Sequence, residues 1–87
     1  MTDDIWITDH ALRRFLERVR GVELRGRCDR SALRQAVRAG VDLAAERMRI
    51  REIVTLAVDA GATRYKVRGV AYVFEQRKVV TVTPYRR

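Results

Sequence analysis

The hydrophobic period of the chain changes near residue 62, and this change limits the fold more than any other feature. Before it, apolar residues recur at intervals of three and four, which gives a helix one apolar face. After it, "ATRYKV", "VAYVFE" and "KVVTVT" are strand-like runs with a period of two. We therefore predict one α+β domain over residues 1–87, with two or three amino-terminal helices packed on a carboxyl-terminal antiparallel sheet of three to four strands.

A capping signal precedes the first helical segment. After the short strand-like stretch "DIWIT", Thr8 or Asp9 can accept hydrogen bonds from the free N–H groups of a first turn. The helix is predicted to run to about Arg20 and to end at Gly21. Its apolar stripe consists of Leu12, Phe15, Leu16 and Val19.

A second helix is predicted after two further capping candidates, Asp29 and Ser31. Its apolar stripe is longer and consists of Leu33, Ala36, Val37, Gly40, Val41 and Ala44. Gly40 lies on this stripe, where the missing side chain permits a close approach of another backbone or a hinge. Residues 49–60, "RIREIVTLAVDA", fit either a helix or a buried strand, and we favour a helix that ends at Gly61.

The three strand-like runs are separated by "RG" at 68–69 and "QR" at 76–77, which predicts an antiparallel meander with two-residue loops. The face predicted to lie in the core holds Tyr65, Val67, Val70, Tyr72, Phe74, Val79, Thr81, Thr83 and Tyr85. The opposite face holds Arg64, Lys66, Ala71, Val73, Glu75, Lys78, Val80 and Val82, a mixture that suits a nucleic-acid platform. The side chains expected to be buried together are Phe15, Leu16, Val37, Val41 and Tyr72.

Positive charge is concentrated near the carboxyl end of the chain. The net charge is +8, and residues 62–87 hold seven basic residues against one acid, Glu75. Such a region attracts polyanions, because contacts with phosphates supply most of the sequence-independent affinity for nucleic acid. Coding bias in a GC-rich genome would also produce many arginines, and 17 of the 19 basic residues are arginine. The residues predicted to bind nucleic acid are Arg13, Arg64, Lys66, Arg68, Lys78, Arg86 and Arg87.

The sequence offers little for metal sites, disulfides or membranes. One cysteine, Cys28, and one histidine cannot form an internal disulfide or a zinc site. The apolar runs are shorter than the roughly 18–20 residues that span a bilayer. The first residues, "MTDDIWIT", are acidic, whereas a signal peptide begins with basic residues. We therefore expect a cytoplasmic protein with no metal, cofactor or membrane partner.

The single histidine lies on the polar side of the first predicted helix. With about 100° per residue, His10, Arg14 and Glu17 lie close together and opposite the apolar stripe. This position excludes a core role for His10. Two interpretations remain, a charged surface such as any exposed helix shows, or part of a functional site.

The order of the elements and two short motifs resemble a known group of proteins. "HALRRFLERV" and "VVTVTPY" are similar to the H-A-x-x-R helix and the terminal I/V-V-T-V strand of small bacterial and phage proteins. These proteins are similar in layout to the RelE-like toxins of the barnase, EndoU and RelE superfamily of RNases. The resemblance implies helices packed on an antiparallel sheet, metal-independent cleavage of RNA, and an acidic antitoxin-like protein as a partner.

Carried over residue by residue, the resemblance assigns site positions to His10 and Arg14 on the helix and to Thr81 on the last strand. Thr83 or Tyr85 is a further candidate on that strand. RelE-like toxins typically carry lysine and arginine in place of histidine, and often an aromatic residue near the end, where this chain has Tyr85. The catalytic set that the resemblance implies is His10, Arg14, Thr81 and Tyr85.

The chemistry of RNA cleavage favours the same residues. Cleavage without a metal needs a base for the 2′-hydroxyl proton, an acid for the leaving 5′-oxygen, and cations for the phosphorane. Histidine is the side chain that ordinarily titrates near neutrality, and His10 is the only one in the chain. The cations are available among the arginines and lysines, and Thr81 or Tyr85 can position the phosphate. Only Glu17 and Glu75 offer a second proton-transfer group.

Two functions without catalysis stay open. The basic sheet can act as a binding module for RNA or DNA, with RNA favoured, for example in a phage or plasmid accessory protein. Tyr65, Tyr72, Phe74 and Tyr85 would stack on bases if exposed, although aromatic residues at strand spacing more often belong to a core. Alternatively, the basic surface binds an acidic protein.

Overall fold

Three helices are followed by a β-meander in the computed structural model of the protein, which describes residues 5–85. The helices are α1 Asp9–Arg18, α2 Asp29–Arg38 and α3 Leu43–Asp59. The strands are β1 Trp6–Ile7, β2 Arg64–Val67, β3 Val70–Glu75 and β4 Lys78–Pro84. They form one sheet in the order β1-β4-β3-β2. The prediction of an α+β fold with helices packed on a sheet is confirmed.

The sheet is mixed rather than purely antiparallel. β2, β3 and β4 are antiparallel neighbours, whereas β1 pairs parallel with β4, with Trp6 opposite Lys78 and Ile7 opposite Val79. A parallel pair needs a long crossover connection, and here the three helices separate β1 from the meander. The predicted antiparallel sheet is therefore correct for three strands and wrong for β1.

The start of α1 is fixed to the sheet by one side chain. Thr8 Oγ1 accepts a hydrogen bond from the Ala11 N–H at 3.0 Å and donates to the Val79 carbonyl of β4 at 3.1 Å. The predicted cap is thus confirmed, and it also holds the helix against β4. The predicted stripe is buried except for Val19, which follows the last helical residue and is 41% exposed.

The second helix is shorter than predicted. α2 ends at Arg38, Gly40 adopts a positive φ of 93°, and Asp42 caps a new helix by accepting from the Ala45 N–H at 3.1 Å. The stripe from Leu33 to Ala44 therefore belongs to two helices, and the expected burial of Val37 is wrong, because Val37 is 53% exposed. Val41, which also belongs to this stripe, is only half-buried.

The next segment, residues 49–60, is helical through Asp59, as predicted.

Both meander loops have two residues, as predicted, but a bulge changes the register between β3 and β4. Val73 pairs with Thr81 while the next residue, Phe74, pairs with Val79, so Val80 is an extra residue in β4. Because side chains alternate between faces, one extra residue moves every later side chain to the other side. Val82 is therefore fully buried.

The corrected register assigns Thr81, Thr83 and Tyr85 to the side opposite the core, in contrast to the prediction. We call this side the outer face. Its residues, in the part of the chain that the structure describes, are Trp6, Arg64, Lys66, Ala71, Val73, Glu75, Lys78, Thr81, Thr83 and Tyr85.

The core lies between the other side of the sheet and two helices. α1 packs on β4, α3 contacts β1 and β2, and α2 packs on α1. Tyr72 is the largest fully buried side chain, and its ring centroid lies 6.4 Å from that of Phe15 and 6.5 Å from that of Tyr65. The predicted burial of Phe15, Leu16 and Tyr72 is confirmed. Between residues 5 and 85, no helix combines the length and apolarity needed to cross a membrane.

Alkaline pH is expected to destabilise the protein through Tyr72. Burial raises the pKa of the Tyr72 phenol, the nearby Tyr65 adds to this rise, and the positive charge of Arg68 opposes it. An unfolded chain releases a tyrosine proton near about pH 10, before the folded protein does. The stability contributed by the neutral phenol is thus present below about pH 10 and is lost as the pH rises through the folded-state pKa. Urea midpoints measured between about pH 8 and 11 should fall less steeply for Tyr72→Phe than for the wild type; equal slopes would contradict this prediction.

The loop before α2 runs so close to the helix that Gly26 has no room for a side chain. A β-carbon at Gly26 would lie 2.4 Å from the backbone nitrogen of Ala32 and 2.5 Å from Ser31 Oγ. Since a helix backbone yields less than a flexible side chain, we expect Gly26→Ala to lower the free energy of unfolding by about 1–3 kcal/mol. Urea denaturation followed by circular dichroism measures this effect. An unchanged midpoint would show that this loop does not pack on α2.

Candidate nucleic-acid interface

The outer face combines positive charge with exposed aromatic rings. Arg64 and Lys66 alternate with core residues on β2, and Lys78 occupies the first position of β4. All three are exposed, and Glu75, the cross-strand partner of Lys78, is the single acid among the outer-face residues. An excess of positive charge on a sheet face favours contact with a polyanion.

Tyr85 is held at the β2 edge of this face. Its N–H donates to the Gly69 carbonyl at 2.8 Å, and Lys66 Nζ lies 4.3 Å from the centroid of its ring. Lys66, Tyr85 and the turn at Arg68 and Gly69 surround a shallow depression of about 360 Å³. A cation over an aromatic ring is attracted to its face by about 0.5–1 kcal/mol at an exposed site, which favours this arrangement of the two side chains. The ring is therefore oriented and remains partly exposed.

Trp6 marks the opposite edge of the outer face. It lies on β1 beside Lys78, and it is 71% exposed. Exposed aromatic rings on a sheet can stack on unpaired bases, which is a common mode of single-strand binding. Trp6 was not among the site residues predicted from the sequence. The alternation in "IWI" was the available signal, because Ile5 and Ile7 are buried and the residue between them must point the other way.

His10 lies away from the outer face, between α1 and α2. Its Nδ1 is 3.2 Å from Asp29 Oδ2, and Arg13 Nη1 is 3.5 Å from the other oxygen of that carboxylate. The His10 side chain remains 43% exposed. Asp29 was predicted only as a capping candidate, and the residue at the cap of α2 is instead Cys28. An aspartate that binds one ring nitrogen of a histidine orients the other nitrogen outward, as in many proton-transfer sites.

The second member of the predicted helix pair, Arg14, binds an acid on its own helix. Arg14 Nη1 lies 2.9 Å from Glu17 Oε1, and Arg13 Nε lies 3.3 Å from Glu17 Oε2. These ion pairs join residues three and four positions apart, as is common on helix surfaces. Glu17 is thus held by two guanidinium groups.

The structure does not bring the four predicted catalytic residues together. His10 and Arg14 lie on α1, which packs on the core side of β4. Thr81 and Tyr85 lie on the outer face, so the sheet separates them from α1. The four residues therefore form two groups rather than one cleft.

The residues predicted to bind nucleic acid lie closer together than the predicted catalytic residues do. Arg64, Lys66 and Lys78 share the outer face, and Arg68 lies in the adjoining turn. Arg13 is instead part of the Asp29 and Glu17 network on the helical side. The remaining two, Arg86 and Arg87, lie outside the described residues.

Comparisons with known proteins add no relative to this picture. No family model, curated protein or solved structure matches the chain. The resemblance to RelE-like toxins thus stays a prediction from short motifs.

Within residues 5–85, no group of three or more His, Cys, Asp or Glu side chains is arranged to hold a metal ion.

Proposed function

We propose that the protein binds single-stranded RNA on the outer face of its sheet. The observation that carries this proposal is the oriented pair of Lys66 and Tyr85 at one edge, on the same face as the exposed Trp6 at the other edge. The lysine attracts phosphates, the exposed Trp6 ring offers a stacking surface for a base, and Tyr85 can offer only the ring face that Lys66 does not cover. Arg64 and Lys78 add positive charge between them.

Single-stranded RNA fits this face better than a duplex does. Unpaired bases can stack on exposed aromatic rings, whereas the bases of a duplex are already stacked on one another. "HALRRFLERV" and "VVTVTPY" resemble motifs of small bacterial and phage proteins that are similar in layout to RelE-like toxins, and this resemblance supports RNA over DNA. The sequence preference within RNA is expected to be weak, because stacking and phosphate contacts do not distinguish bases strongly.

The fluorescence of Trp6 provides a direct test, because it is the only tryptophan in the chain. A single-stranded RNA of about ten nucleotides should quench or shift this emission as it binds. If four cations contact phosphates, raising salt from about 50 to about 200 mM should weaken binding by about fiftyfold. A duplex of the same length should bind more weakly. Unchanged emission at saturating RNA would contradict contact with this face.

A second candidate function, metal-independent cleavage of RNA, is favoured by the contact between His10 and Asp29. The carboxylate orients the imidazole, whose other nitrogen can then take or give a proton at a bound phosphodiester. Trp6 on the outer face precedes His10 by four positions, with the turn at Thr8 between them. An RNA strand that crosses the β1 edge of the sheet would thus approach the start of α1.

Cleavage can be separated from binding by one substitution. The wild type should cut RNA in the presence of EDTA, and His10→Ala should slow cleavage by about 10²- to 10⁴-fold without weakening binding. Asp29→Asn should slow cleavage less, because it retains a hydrogen-bonding group near the ring. A wild type that binds RNA and leaves it intact, both free and on translating ribosomes, would exclude cleavage and leave a binding module.

A further inference from the structure

A second cavity lies on the core side of the sheet, where the β2–β3 turn meets the carboxyl end of α1. Its volume is about 480 Å³, within the size range of small-molecule sites. Two arginines, Arg18 and Arg68, and two tyrosines, Tyr65 and Tyr72, line it together with aliphatic side chains such as Ile53. None of its described lining residues is acidic. The cavity therefore combines an apolar, aromatic wall with two positive charges, and an acid, Glu52, lies in the adjoining depression that Arg68 also lines.

Arg18 is anchored where it lines this cavity. Its Nη1 donates a hydrogen bond of 2.7 Å to the Val82 carbonyl of β4. A guanidinium has five N–H donors, and this bond uses one of them. The charge of Arg18 is thus fixed in position while donors remain for an anion.

Arg68 occupies a backbone position that ordinarily disfavours arginine. Its φ is 51° and that of Gly69 is 82°, so both residues of the turn are left-handed. Turns of this type prefer asparagine or glycine, and another residue there costs backbone energy. Arg68 is a lining residue of both this cavity and the depression beside Tyr85 on the outer face. A cation at this position is therefore shared by the two sides of the sheet.

Tyr65 is the accessible part of the aromatic wall, and the fully buried Tyr72 lies behind it. Their ring centroids are 6.5 Å apart and their planes are inclined by 30°. Arg68 lines the same cavity as both tyrosines. An aromatic wall suits a planar base, and two guanidinium groups suit a phosphate.

We propose that this cavity binds a nucleotide, with the base against Tyr65 and Ile53 and the phosphate at Arg18 and Arg68. The binding of a free nucleotide does not depend on the function proposed above. The further step does rest on it: a strand on the outer face can insert one nucleotide by passing over the turn at Arg68 and Gly69. The cavity can thus be occupied either by a free nucleotide or by one nucleotide of a bound RNA strand.

The test follows the methyl resonances of Ile53 and Val67, which line the cavity, during titration with adenosine 5′-monophosphate. These resonances should shift, and adenosine and inorganic phosphate should each bind at least about tenfold more weakly, since each lacks half of the contacts. Arg68→Asn should weaken nucleotide binding by about 10- to 100-fold, because a charged hydrogen bond is lost. Its melting temperature should stay equal or rise, because asparagine suits the left-handed turn. Arg34→Gln, an exposed arginine on α2, serves as the control and should bind like the wild type.

The outcomes separate this inference from the proposed function. Absence of shifts at Ile53 and Val67, equal binding by Arg68→Asn, or shifts caused by an acidic peptide but not by the nucleotide would overturn the cavity assignment. A protein that binds RNA through Trp6 without shifts at Ile53 overturns this inference and retains the function. A protein that binds the free nucleotide here but no RNA overturns the function and the inserted strand, and retains the nucleotide site.

Discussion

Replacing Phe15 by alanine is expected to lower the free energy of unfolding by about 3–5 kcal/mol. Phe15 is only 1% exposed, and its ring lies 6.4 Å from that of Tyr72, where α1 covers the sheet. Removing the ring loses apolar burial and leaves a cavity that the close-packed core fills only in part. Because a small domain is stable by roughly 5–15 kcal/mol, this loss is a large fraction of the total.

Urea denaturation of Phe15→Ala, followed by circular dichroism, measures the loss. Val19→Ala, four residues further along the same segment, is the matched control, since Val19 is 41% exposed. It should change stability by less than about 1 kcal/mol. If the two variants lose equal stability, α1 does not pack on the core as described.

Reversing two charges on the outer face is expected to reduce RNA affinity by at least about a hundredfold at low salt. The variant Arg64→Glu/Lys66→Glu replaces two phosphate-binding cations by repelling anions, and it removes the cation that holds the Tyr85 ring. Both residues are exposed, so the fold should tolerate the change. Fluorescence anisotropy of a labelled single-stranded RNA measures the affinity.

The control for this variant must change net charge by the same amount elsewhere. Arg30→Glu/Arg34→Glu does so on α2, whose side chains are remote from the outer face because α2 packs on α1. Its affinity should fall by less than about tenfold, through the long-range field alone. Equal losses in the two variants would attribute binding to net charge rather than to the outer face.

The helices and strands follow from local sequence patterns, but the break between α2 and α3 depends on the backbone conformation of one residue, Gly40. The stripe from Leu33 to Ala44 has helical spacing throughout, so periodicity predicts one helix. Gly40 can adopt a positive φ without steric cost, and Asp42 can cap a new first turn. Both features are visible in the sequence, yet periodicity alone does not reveal that they act together.

The assignment of the sheet faces failed at a single residue. The two-residue loops were predicted correctly, and they fix the register of β2, β3 and the start of β4. The extra residue Val80 then exchanges the sides of Thr81 and Val82. A bulge is an irregularity of pairing between strands, and "KVVTVT" carries no glycine or proline that would mark it.

Contacts between residues far apart in the sequence could not be predicted from residue spacing. The pair of His10 and Asp29 forms because α2 packs on α1, and the two residues lie 19 positions apart. The helical spacing of His10 and Arg14 correctly placed both on the polar side of α1. It also placed Glu17, the partner of Arg14, beside them, but it gave no information on Asp29, the partner of His10.

The most direct test of RNA binding on the outer face is a map of the residues that RNA contacts. Amide and indole resonances of isotope-labelled protein can be followed while a single-stranded RNA is added. We predict that Trp6, Lys66, Val73 and Thr81 shift together, because they lie on the outer face of adjacent strands. Shifts confined to α2, with the outer face unchanged at saturation, would contradict the proposal.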